Sequence, residues 1–316
     1  MSRVAPAGIA KDLAIGIGIT SILIAITLQS PILGFFCMIG IPLPTIFYRA
    51  KLGRKIGMLV PACALFLLAL MLGGISLDIL YFFELVLIGF VLCELFEQRL
   101  SVEKTMTYTC AAVVASGLVF LIVYSAVLST GIGSLVSGYV SKNLEATLAL
   151  YESMGMSPEN LRLFQDSIEQ IQYVLVRIVP AMAIASTLFL TWTSLLIAKP
   201  LLKRRNLFYP DYGSLNTWKA PELLVWVVIG CGLMLLIPYR PLKLLGFNGL
   251  LILLTIYFFQ GIAIVSYYFE KKRFPRALRV FLYSLIALQQ LILLIVIGLG
   301  FFNMWLNFRK LGVKKK

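Results

Sequence analysis

No histidine occurs anywhere in the 316 residues. That excludes haem proteins with a histidine ligand, HExxH metalloproteases and imidazole-based acid–base chemistry. Cysteine is sparse: Cys37, Cys63, Cys93, Cys110 and Cys231 all lie in apolar stretches, with no CxxC pair among them. Thiols so placed pack as small hydrophobes, so neither a disulfide framework nor a metal site is expected. Charge is thin as well. Charged residues make up 13% of the chain, where a soluble domain carries about a quarter. No phosphate loop, paired catalytic carboxylates or serine nucleophile motif is found. No cofactor is therefore expected, and an intramembrane enzyme ranks behind the other readings.

What the chain has in excess is apolar sequence. Hydrophobic residues reach 60%, and the mean hydropathy is +0.94. They fall into runs long enough for helices that cross a hydrocarbon core of about 30 Å. The runs lie near 13–29, 31–48, 56–73, 77–96, 105–128, 176–198, 222–238, 248–269 and 280–302. The expected fold is all-α, a polytopic transmembrane bundle of about eight to nine spans with an extracytoplasmic helical hairpin. Residues 1–128 hold the first five spans, 129–175 the hairpin, and 176–316 the C-terminal spans and a basic tail. Pro31 and the Gly73-Gly74 pair predict tight connections, while Pro42, Pro44 and Pro61 predict kinks.

The net charge of +14 does not point to nucleic acid, because lysine and arginine sit in short clusters between apolar runs. Positive residues collect in cytoplasmic loops of membrane proteins. With the N-terminus in the cytoplasm, Arg3, Lys11 and the clusters at 49–55, 99–104, 199–219 and 271–279 lie on the cytoplasmic side. Nine crossings leave ten positives outside: Lys142, Arg162, Arg177, Arg240, Lys243, Arg309, Lys310, Lys314, Lys315 and Lys316. If 222–238 instead dips in and returns, eight are left outside. These counts leave the side of the C-terminus open.

The region 129–175 is the hydrophilic exception. Leu144, Leu148 and Tyr151 recur at helical spacing and Gly155 offers a stop. Ser157 and Pro158 suit the cap and first turn of a second helix. Leu161, Phe164, Ile168, Ile171 and Leu175 then form one stripe that runs on toward the sixth span. Glu145, Glu152, Glu159, Asp166 and Glu169 make the hairpin acidic.

Ionisable groups at membrane depth are costly and point to function. Glu84 is the deep one in the fourth span, with Tyr81 three residues earlier on the same face and in reach of a hydrogen bond. Asp78, Glu94 and Glu97 lie nearer the ends, where water reaches them. In the later spans Asn248, Gln260 and Gln289 offer amides, which either bond to neighbouring helices or line a ligand path. These five residues, Glu84, Tyr81, Asn248, Gln260 and Gln289, form the candidate substrate-binding set. The leading expectation is a protein that binds or transports a small molecule. The alternative is a membrane scaffold or assembly factor that meets other membrane proteins through its acidic hairpin and basic loops.

The stretches TWKAPELLVW (217–226), GFNGLLILLTIYFFQGIAIVSYY (246–268) and GLGFFNMWLNFRK (298–310) resemble the YybS-like family of multi-pass bacterial membrane proteins. The acidic hairpin and YRAKLGRKIG (48–57) also resemble that family's layout. At Asn303 and Asn307 the family more often carries acidic residues, so a charge-dependent role there does not transfer. At fold level the resemblance implies similarity to substrate-binding membrane subunits of energy-coupling-factor vitamin transporters. Fold similarity alone does not deliver function.

Overall fold

The computed structural model describes residues 6–74 and 76–309. Arg3, Lys310, Lys314, Lys315 and Lys316, counted above, lie outside them. Thirteen α-helices and one short 3-10 turn (Leu215–Thr217) make up the described chain, with no strand among the described residues. The first seven helices are α1 (Pro6–Gln29), α2 (Pro31–Gly40), α3 (Pro42–Leu52), α4 (Arg54–Gly57), α5 (Leu59–Leu72), α6 (Leu77–Glu97) and α7 (Val102–Val127). They are followed by α8 (Ile132–Ser153), α9 (Pro158–Lys203), α10 (Leu223–Leu236), α11 (Arg240–Lys271), α12 (Arg276–Leu288) and α13 (Gln290–Leu306).

Seven described helices or merged helix pairs are long and apolar enough to cross a membrane, and eight if the bent pair α12–α13 counts as one. Two of the nine expected segments therefore differ. The segment at 222–238 is a helix of only 14 residues, and the one at 280–302 is not a straight helix but breaks by 101° between Leu288 and Gln290. The prolines act unequally. Pro42 starts α3 after α2 ends at Gly40, yet Ile41 between them keeps helical angles and Leu33–Leu52 remains one span. Pro61 instead sits in the first turn of α5, where its missing N–H interrupts nothing. Gly73 and Gly74 turn the chain with φ of 71° and 149°, a region that side chains rarely adopt.

The expected hairpin forms from α8 and the first part of α9. Tyr151 meets Phe164 edge to face, and the Gln172 amide donates to Ser137 O and Oγ at 3.2 and 3.0 Å. Ser157 caps α9, and the helix runs on without interruption into the sixth span, as its apolar stripe implies. Tyr139 ties α8 to the first turn of α6 by donating to Asp78 at 3.1 Å. Burial and the Asp78 charge push that phenol up to about 12.

The chain divides into two compact units, Met1–Arg177 with Phe189–Asp211, and Ile178–Leu188 with Tyr212–Lys316. In the first, α1, α3, α5 and α6 pack around Ile41, Ile46, Val60, Ile88 and Leu92. In the second, α11 packs against α10 and α13 around Tyr257, Phe259 and Ile264. Glycine permits this last contact. A Cβ on Gly300 would strike the Tyr257 carbonyl, and one on Gly261 would strike the Val296 carbonyl, so the two backbones touch directly. Gly300→Val is expected to cost at least about 1–3 kcal/mol through overpacking. Gly298→Val, on a face with nothing within 4 Å, should be tolerated. Thermal unfolding of the detergent-solubilised variants checks the difference.

Candidate functional site

The first unit carries the candidates Glu84 and Tyr81. Glu84 lies near the middle of α6 and is half-buried. Its carboxylate faces Gly117 of α7 so closely that a Cβ there would collide with Oε1. The bare glycine is thus the seat of the carboxylate. Tyr81 does not pair with Glu84: its hydroxyl reaches Met38 Sδ at 3.1 Å instead. The expected Tyr81–Glu84 hydrogen bond is not made, because the phenol extends toward α2.

Sequence reasoning missed the strongest electrostatic feature of this unit. Arg49, counted there only as a loop cation, is 3% exposed. Its Nε and Nη2 donate to Glu94 at 3.1 and 2.6 Å, and Nη1 donates to Glu97 at 2.6 Å. Arg54 adds a contact to Glu94 at 3.2 Å. Glu94 is thus bound, while Glu97 stays 63% exposed. Gly57 lets the chain fold directly over the Arg49 backbone. Nearby, Lys51 pairs with Asp12 at 2.7 Å and ties α3 to α1. The signal available in the sequence was the i, i+3 pair Glu94 and Glu97 on one helical face, which two positives at 49 and 54 can neutralise. Arg49→Ala would leave Glu94 without its buried partner and should destabilise the protein by about 3 kcal/mol. Glu97→Gln, at the water-exposed end, should cost about 1 kcal/mol or less. Chemical or thermal unfolding of both variants tests that order.

The second unit carries Asn248, Gln260 and Gln289. Gln260 is buried, and both ends of its amide are occupied by backbone. Its Oε1 accepts from Ala220 N–H at 2.7 Å and its Nε2 donates to the Gly300 carbonyl at 2.9 Å. Asn248 donates to the Leu244 carbonyl of its own helix at 2.8 Å. Gln289 is exposed and forms the break between α12 and α13, with φ −102° and ψ 110°. The structure therefore does not gather these three into one cluster: Gln260 binds two neighbouring segments, Asn248 lies three turns earlier on α11, and Gln289 sits at a corner.

A second guanidinium was also missed. Arg309 is 3% exposed and donates to the Asn216 and Trp218 carbonyls at 2.6 and 2.9 Å. No carboxylate pairs with it among the described ion pairs. The Asn216 amide in turn donates to Glu270 at 2.6 Å, and the Tyr268 hydroxyl donates to the Phe308 carbonyl at 2.7 Å. Arg309, Gln260 and Trp218 all fall within the stretches that carried the family resemblance. Their geometry accounts for that pattern as a set of braces on non-helical backbone. Among the described residues no group of three or more cysteine, aspartate or glutamate side chains is placed to hold a metal ion.

Comparison with known proteins agrees with the resemblance. The chain is 23% identical over 280 residues to the uncharacterized protein YybS of Bacillus subtilis (strain 168), covering 84% of this chain and 85% of that protein. No solved structure matches. Residues 18–304 match the family described as a predicted membrane protein, DUF2232. With most of its length inside that match, this polytopic membrane protein belongs to the DUF2232 family.

Proposed function

We propose that the protein binds or moves a small molecule within the bacterial inner membrane, as a substrate-binding subunit that a partner energises. The observation that carries this reading is Glu84. It lies near the middle of a membrane helix, seated on Gly117, and receives no hydrogen bond among the described contacts. An ionisable group at such depth is costly and persists where it meets a substrate, an ion or a proton. Asn248 and Gln289 are secondary candidates from the C-terminal unit. Gln260 supports the site indirectly by holding backbone in place.

Native mass spectrometry of protein purified gently from its own membrane tests the proposal. A reproducible small-molecule adduct is expected on the wild type and should be lost in Glu84→Gln. Gly117→Ala, which places a methyl group against the carboxylate, should weaken the same adduct. If both variants keep the adduct at wild-type occupancy, Glu84 is not the contact.

One observation favours the scaffold reading. Leu150, Met154 and Leu163 are exposed on a hairpin whose acidic sequence keeps it out of the lipid. Apolar side chains exposed in water suit a protein partner. Deleting 139–172 should then abolish function while Glu84→Gln leaves it intact. A stable deletion that stays functional removes this alternative.

A further inference from the structure

The hydrogen bonds of the C-terminal unit give the direction of each segment relative to α11. Asn216 bonds to Glu270, Ala220 bonds to Gln260, and Cys231 lies against Gly246 and Gly249. As the first number rises, the second falls. The stretch 216–231 therefore runs antiparallel to α11, past 21 of its residues. At 1.5 Å per helical residue that is about 30 Å, the full hydrocarbon thickness. Within that stretch the helix α10 supplies only residues 223–231, about 13 Å. Apart from the short 3-10 turn, the remainder, 214–222, is non-helical.

Peptide groups outside a helix survive at membrane depth only when the protein satisfies them. Here Gln260 accepts the Ala220 N–H, Arg309 donates to the Asn216 and Trp218 carbonyls, and Pro221 has no N–H to satisfy. A short apolar helix could dip in and return, but this one completes a crossing that its unwound lead-in begins.

The other direction comes from α13. Gln260 bonds to Gly300 and Tyr268 bonds to Phe308, so both numbers rise together and α13 runs parallel to α11. Two parallel helices joined in sequence require a return between them. The only helix available is α12, whose 13 residues reach about 20 Å, short of a crossing. Its 101° angle to α13 makes the pair a V with its corner at Gln289.

We propose that the C-terminal unit combines a half-unwound crossing, 214–236, with a re-entrant hairpin, 272–309, that enters and leaves on the cytoplasmic face. The tail after Arg309 then lies on the same side as the 271–279 cluster. All but five of the 28 lysines and arginines fall on that face, the exceptions being Lys142, Arg162, Arg177, Arg240 and Lys243. Charge alone left eight or ten outside, so the bonding geometry yields the layout that best satisfies the positive-inside rule. This inference does not depend on the proposed binding function.

Single cysteines placed in the full-length, cysteine-free chain test it with a membrane-impermeant maleimide. Lys272→Cys and Lys316→Cys should react only in inside-out vesicles, and Tyr239→Cys only in intact cells. Gln289→Cys should react in neither. Labelling of Lys316→Cys from outside overturns the hairpin, and labelling of Gln289→Cys from outside means a full crossing instead. Labelling of Tyr239→Cys only from inside overturns the 214–236 crossing. Should the cysteine-free chain fail to fold, C-terminal reporters on the unaltered sequence decide the side. A green fluorescent protein fusion should fluoresce and an alkaline phosphatase fusion should be inactive, and the reverse pair overturns the proposal.

Discussion

Hydrocarbon offers no hydrogen bonds, and each unpaired peptide group placed in it costs several kcal/mol. That constraint organises the C-terminal unit. Where the chain is helical, the backbone satisfies itself. Where it unwinds, between Ser214 and Glu222, side chains from far along the sequence take over. A neutral amide suits this task because it both accepts and donates, which is how Gln260 joins Ala220 to Gly300. A guanidinium suits a pair of carbonyls because its donors lie in one plane, as Arg309 uses them.

The N-terminal unit meets a related difficulty with charge. Arg49 is enclosed by protein, and its cost is offset by two carboxylates one helical turn apart on α6. The gradient of exposure across that group, from buried arginine to open Glu97, lets water share the load at one end. The same helix keeps Glu84 about three turns away without such a partner. One helix thus holds a neutralised acid near its end and an unneutralised one near its middle, and the contrast separates a structural carboxylate from a candidate functional one.

Much of the architecture was legible in the residues alone. The apolar runs, the acidic hairpin with its Ser157-Pro158 start, and its continuation into the sixth span all follow from local periodicity, which depends on neighbours three and four residues apart. Gln260 was recognisable as a buried amide, but its partners were not, since they lie 40 residues away on either side. The same limit hid Arg309, whose contacts are 91 and 93 residues distant, and Arg49, whose contacts are 45 and 48 away. The break at Gln289 was also invisible, because the run from 280 to 302 is apolar enough to read as one span despite Gln289 and Gln290. Hydropathy reports what a segment can enter, not the direction in which it leaves.

The bond between Arg309 and Trp218 has a consequence for biosynthesis. The chain is made from the N-terminus, so the 216–220 stretch leaves the ribosome some ninety residues before the guanidinium that must hold its carbonyls. Until then those carbonyls need water, the translocation machinery or a temporary partner, and the segment cannot settle in lipid. Assembly of this unit therefore waits until the guanidinium has emerged, and a stop codon placed before residue 309 would leave a much earlier crossing unfinished.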